Sequence, residues 1–261
     1  MLYKFVGGDH DAILNVFEKA VVQGSIKFNS AFHCNDPFEF KFRSVAPKDR
    51  ETFDEWHRQH APEKTEYEKE NAWRSFEGDA KEFNTQFWPR VQLMGNVYVS
   101  CLSQRWDSHL MWAHYCNAHT GFVVCYDTKI VDFLKSDKDS IASGAVNYSL
   151  ELPCVNWFSD PPSALRPIMA TKSLEWSYEK EIRFACKGEA LQQAIFKIGD
   201  QSVISGIILG SRASQGLIKR ALDYQKTRES FIVKMICSKL GTFDLATFDV
   251  EDNAFYSNEF L

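Results

Sequence analysis

The sequence has no apolar run long enough to cross a membrane, no C-x-x-C pair, no internal repeat and no low-complexity tract. A spanning helix needs about 20 consecutive apolar residues, so the first absence predicts a chain with no membrane segment. The opening Met1-Leu2-Tyr3-Lys4-Phe5 lacks the apolar core of a signal peptide, and a cytoplasmic location is the expectation. Seven cysteines, at 34, 101, 116, 125, 154, 186 and 237, are odd in number and scattered, which suits free thiols in a reducing compartment rather than a disulfide framework. Positive charge is also short: the net charge of -5 excludes a chain that coats nucleic acid by charge alone, while leaving room for a local basic patch.

What is present is a soluble, globular composition, 44% hydrophobic and 25% charged, over 261 residues taken as a single domain. Rings are abundant, with 21 phenylalanines and 7 tryptophans, and they serve either a ring-rich core or a pocket that stacks something flat. Residues 2–6 read as a first strand broken by Gly7-Gly8. A helix follows with Ile13, Leu14, Phe17, Ala20 and Val21 at helical spacing, stopped by Gly24. Another strand at 25–28 leads into Phe32-His33-Cys34-Asn35-Asp36-Pro37-Phe38-Glu39, where Asn35 and Asp36 can bond their own backbone. That loop is either a structural turn pinned by phenylalanines or one that embraces a ligand. Residues 49–87 turn charged and helical and read as a two-helix insertion or lid, with Trp56, Trp73, Phe76, Phe83 and Phe87 docking on the body.

Further strands are expected at 97–103, 122–127, around Val146-Asn147-Tyr148, up to Cys186, at 203–209 and at 231–237. Helices are expected at 108–116 and 212–226. His109, His114, Cys116 and His119 fit no standard zinc spacing, so no metal is assigned. Arg212, Lys219, Arg220, Lys226, Arg228, Lys234 and Lys239 face only Asp223 and Glu229 locally. They form either a solvated helix face or a contact surface for phosphate or nucleic acid.

The chemically costly stretch is Trp176-Ser177-Tyr178-Glu179-Lys180-Glu181-Ile182-Arg183-Phe184. If it opens a strand, Glu179 and Glu181 share one face and raise each other's proton affinity unless a cation or substrate lies between them. The alternative is a strand edge with solvated glutamates.

Three segments, Cys34-Asn35-Asp36-Pro37-Phe38-Glu39, Ser100-Cys101-Leu102-Ser103 with Leu110-Met111-Trp112-Ala113-His114-Tyr115 and His119-x-Gly121, and Lys172 with Trp176-x-Tyr178-Glu179-x-Glu181-x-Arg183, resemble the bacterial family catalogued as domain of unknown function twenty-nine seventy-one. Leu2-Tyr3-Lys4-Phe5 and Leu209-Gly210-Ser211 add to the likeness. The order of a cationic first strand, a Ser-x-x-Ser strand and Glu-x-Glu entering a strand is also similar to mono-ADP-ribosyltransferases of the arginine-serine-glutamate class, with lysine in place of the arginine.

That second resemblance implies an α+β fold with a mostly antiparallel, split β-sheet core, ADP-ribosyltransferase-like, carrying the helical insertion. It also implies NAD as substrate and transfer of ADP-ribose to a nucleic acid or protein. Glu181 would hold the ribose and stabilise its cation, Glu179 would orient or deprotonate the acceptor, and Ser100 would steady Glu181. Tyr3, Lys4, Asn35, Asp36, Phe38, Ser103, Met111, Trp112, Tyr115, Lys172, Trp176 and Tyr178 would line the nucleotide site, with Lys4, Lys172 or Arg183 on the pyrophosphate. Families of this kind include toxins and phage-defence effectors, so an antitoxin or other inhibitory partner is implied. Two alternatives stand: a non-catalytic nucleotide- or nucleic-acid-sensing module, and a magnesium-dependent nuclease using Asp36, Glu39, Glu179 and Glu181.

Overall fold

The alternating run Val97–Ser103 becomes β4, and the sheet is arranged around its two edges. The computed structural model of the chain describes residues 1–77, 81, 85, 97–135, 140–188 and 193–250. Along one edge β4 pairs antiparallel with β10 (Glu181–Lys187) over its whole length, from Glu181 opposite Ser103 to Lys187 opposite Val97. Its other edge is shared. β2 (Ser25–Ser30) meets it at Asn29–Val99 and Ser30–Tyr98, and β1 (Leu2–Val6) meets it at Tyr3–Ser103. Between those contacts the two strands diverge, and the sheet opens into a seam.

Beyond the seam β1 pairs with β5 (Phe122–Tyr126), and β5 pairs with β12 (Ile204–Leu209). β13 (Ile232–Ser238) and β14 (Leu245–Asp249) complete that side. On the other side β11 (Gln193–Lys197) adds to β2, and β6 (Ser140–Ala145) adds to β10. The result is a ten-stranded, mainly antiparallel sheet in a mixed α/β chain. Within it β12 and β13 run parallel, joined through the helix Gln215–Lys226. The expected strand around Val146-Asn147-Tyr148 is two: β6, and β7 (Asn147–Ser149), which pairs parallel with β9 (Thr171–Ser173) outside the main sheet.

Helices cover both faces. α1 (His10–Phe17) and the helix Gln215–Lys226 bury Ile13, Phe17, Leu217 and Ala221 against Leu2, Leu102, Val124 and Phe184. Alternation along the strands sends Val99 and Ala185 to the opposite face, where they join Phe40, Phe42, Trp157 and Ile168. The insertion is two capped helices. Asp49 accepts from the Thr52 amide at 2.8 Å to start α2 (Arg50–His60), and Thr65 with Glu68 forms a capping box on α3 (Glu66–Arg74). Phe53, Trp56 and Phe76 bury into the same cluster as Phe42, and Trp73 packs at its edge. Phe83 and Phe87 lie outside the described residues.

After the helix His109–Tyr115, Asn117, Ala118 and His119 all take left-handed φ values of 47, 52 and 70, and the chain then enters β5 through Gly121. A Cβ on Gly121 would lie 2.1 Å from the Val6 carbonyl oxygen, closer than real Cβ atoms come. Backbone cannot retreat as a side chain can. Gly121→Ala is therefore expected to lose about 1–3 kcal/mol, the range for overpacking, read as a lower urea midpoint at unchanged slope. An unchanged midpoint would mean that β1 and β5 separate freely.

Candidate functional site

A cavity of about 510 Å³ occupies the seam, within the size range of small-molecule sites. At one end stands a cluster of five charged side chains, Glu39, Lys172, Glu179, Glu181 and Arg183, each no more than 6% exposed. Glu181 and Arg183 are two apart on β10 and share a face, on which Arg183 Nε donates to Glu181 Oε1 at 2.6 Å and Nη2 to Oε2 at 3.0 Å. Arg183 also donates to the Met169 carbonyl at 3.0 Å and bonds Glu39. Glu39 reaches this place because Asp36 builds a tight turn: its carboxylate accepts from the Phe38 amide at 2.8 Å, and its carbonyl from the Glu39 amide at 3.1 Å.

Lys172, the middle residue of β9, donates to Glu179 Oε2 at 2.7 Å and lies 3.5 Å from both Glu39 and Glu181. Of the two occupants expected between the glutamates, a cation or a substrate, the structure supplies a cation, this lysine. The glutamates do not, however, share a continuous strand. Glu179 ends the 3-10 turn Leu174–Glu179, Lys180 turns left-handed at φ 46, and only Glu181 begins the strand. The carboxylates converge through Lys172 and that turn rather than through strand alternation.

Burial raises the proton affinity of Glu181, but the Arg183 guanidinium and then Lys172 outweigh it and hold the carboxyl well below its ordinary range. For Glu179 burial wins over Lys172 and the Tyr115 hydroxyl, and its affinity is raised. Burial disfavours the Lys172 ammonium, yet Glu181, Glu39 and Glu179 together raise it above its ordinary value. The two neighbouring carboxyls are thus shifted in opposite directions, Glu181 by its cations and Glu179 by burial.

The signs can be tested. Glu181, with its folded value depressed, contributes stability that is complete above its ordinary 4.5 and is lost as pH falls through the folded value. The urea-measured gap between the wild type and Glu181→Gln is expected to narrow as pH falls below 4.5. A gap independent of pH would show Glu181 solvated in the fold.

The mouth beside Glu179 is polar and ringed. Tyr115, from the helix His109–Tyr115, donates to Glu179 Oε1 at 2.5 Å and accepts from Asn35 Nδ2 at 2.9 Å. Ser103, opposite both Tyr3 and Glu181, donates to the Glu179 carbonyl at 2.5 Å. Trp176 and Tyr178, half-buried, pack ring to ring at 5.9 Å with His114 alongside; they neighbour the cavity, and Lys172 lies 4.7 Å over Trp176.

Tyr3, Lys4, Asn35, Ser103, Met111, Tyr115, Lys172, Glu179 and Glu181 of the anticipated set line the cavity, and six others do not. Ser100 is buried on the opposite face from Glu181, in register with Phe184, and accepts from Lys4 Nζ at 3.1 Å. Trp112 is fully buried core, edge-on to Phe5 with its indole on the Trp106 carbonyl at 2.7 Å. Asp36 is spent on its turn, and Phe38 is 65% exposed. Trp176 and Tyr178 stand at the side.

Sequence reasoning left Cys34, Cys101, Lys19 and Lys27 unassigned, and all four line the cavity. The period-two alternation of β4 was the signal for Cys101, which shares the face of Ser103. The basic segment at 212–239 finds more partners than its local sequence offers. Arg220 pairs with Glu18 at 2.5 Å, Lys234 with Asp249 at 3.6 Å, and Arg228 donates to the Gln201 and Ile204 carbonyls at 2.8 Å. Among the described residues no group of three or more His, Cys, Asp or Glu is arranged to hold a metal ion. No helix among them is long and apolar enough to cross a membrane.

No curated protein and no solved structure matches the chain. Residues 111–184, which carry Tyr115, Lys172, Glu179, Glu181 and Arg183 but not Lys4, Glu39 or Ser103, match the model of a family described as "Protein of unknown function (DUF2971)".

Proposed function

We propose that the cavity binds NAD and that the protein is a mono-ADP-ribosyltransferase acting on a nucleic acid or protein. The observation that carries this is Glu181, buried, held anionic by Arg183 and lining a cavity that Lys4, Lys19 and Lys27 also line. Breaking the bond between ribose C1 and the nicotinamide nitrogen sends the electron pair to nicotinamide and leaves an oxocarbenium-like sugar. A fixed carboxylate in a water-poor site stabilises that charge without reorganising. The acceptor then bonds to C1 and gives its proton to Glu179, whose raised affinity suits a base. Tyr115 and Lys172 position that carboxylate.

The test is incubation with NAD labelled in its adenylate half, together with cell extract, following free nicotinamide and macromolecule-bound label. Both should rise together. If neither rises, the transferase is gone.

A second function, a nucleotide sensor without turnover, is favoured by one observation: Glu181 is already bonded by Arg183 through both oxygens. Calorimetry would then find NAD binding with no nicotinamide released. The magnesium nuclease is the least supported, because Lys172 and Arg183 occupy the space between Glu39, Glu179 and Glu181 where a cation would sit.

A further inference from the structure

The cavity is electrically two-ended. Its acidic end holds three carboxylates against Lys172 and Arg183, so both cations there are saturated and neither has charge to spare for a phosphate. That removes two of the three side chains anticipated on a pyrophosphate. The other wall is lined by Lys4 from β1, Lys19 from the turn Glu18–Val22 after α1, and Lys27 from β2, with no carboxylate among the lining residues contributed by those elements. Among the described residues none of the three lysines makes an ion pair with a carboxylate.

Lys4 stands between the ends. Burial pushes its ammonium below the ordinary value, and Glu181 and Lys27 are both near enough to act on it, in opposite senses. Two of its three donors are used, on Ser100 Oγ at 3.1 Å and on the Cys101 carbonyl at 3.0 Å, which leaves one. Lys27 already acts against the Lys4 charge, and an anion entering between like charges on one cavity lining relieves such repulsion.

We infer that Lys4, Lys19 and Lys27 form a diphosphate subsite, and that the ligand is a nucleoside-diphosphate sugar laid with its phosphates on these lysines and its sugar toward Glu181. The direction of the ligand deepens, and rests on, the function proposed above; the subsite itself rests on charge and placement. Lys19 and Lys27 are exposed residues outside the core clusters, so truncating them leaves the core untouched.

The experiment is calorimetry on the full chain with ADP, AMP, adenosine and inorganic pyrophosphate, for the wild type and for Lys19→Ala with Lys27→Ala. ADP should bind about tenfold or more tightly than adenosine, and the double variant should lose about tenfold in ADP affinity at an unchanged melting temperature. Added salt should weaken wild-type binding more than that of the variant. Lys27→Glu alone should lose at least as much as Lys27→Ala. Equal affinity for ADP and adenosine, no binding of ADP or pyrophosphate, or an unchanged ADP affinity in both variants overturns the subsite. Intact, lysine-dependent ADP binding without nicotinamide release from NAD would remove the transferase and leave the subsite standing.

Discussion

Glu181→Gln is expected to lower nicotinamide release from NAD about 10²–10³-fold, the loss seen when one preorganised electrostatic group is removed from a transition state. The substitution keeps the shape and the hydrogen-bonding oxygen but deletes the charge that the proposed reaction places under the sugar. In the proposed reaction ground-state binding falls on the lysine-lined wall instead, so ligand affinity should change far less than turnover. Because Glu181 also balances Arg183, the variant must be assayed below its own melting temperature. A release rate within threefold or so of wild type, in a folded variant, would show that the carboxylate serves only the ion cluster.

Arg183→Met carries the largest expected effect on stability, about 3–5 kcal/mol, the cost of stripping one partner from a buried ion pair. Arg183 bonds Glu181 and Glu39 at once, so its loss leaves three buried carboxylates facing Lys172 alone. Combining it with Glu181→Gln removes one charge of each sign, and the urea midpoint should rise back toward that of the wild type. If Arg183→Met alone costs less than about 1 kcal/mol, water reaches the cluster and its members are ordinary surface pairs.

Much of this arrangement could be read before folding because local chemistry demanded it. The strands and the two charged helices of the insertion follow from spacing, and two glutamates so close in sequence asked for a cation or a substrate between them unless both stood in solvent. Other parts failed for identifiable reasons. Ser100 and Ser103 are three positions apart on one strand, an odd step, so they must point to opposite faces, and only Ser103 can share Glu181's. Trp112 looked like a stacking ring because tryptophan identity says nothing of depth; its helix packs it against Phe5 and buries it fully. The basic run at 212–239 looked unpaired because Glu18 and Asp249 arrive from other elements. Lys19 and Lys27 were missed because a cavity between diverging strands brings together residues whose separation in sequence carries no period. The placement of Ser100 leaves the serine of the resemblance behind Lys4, outside the lining of the cavity.

The seam has a cost that Lys4 partly offsets. Where β1 and β2 part, the β4 backbone forgoes neighbours, and a side-chain ammonium instead satisfies the Cys101 carbonyl at 3.0 Å. Were either strand to run on alongside, ladder bonds would form and the hollow would close. Continuity of the sheet and room for a guest are therefore mutually exclusive here, and one lysine holds the balance between them.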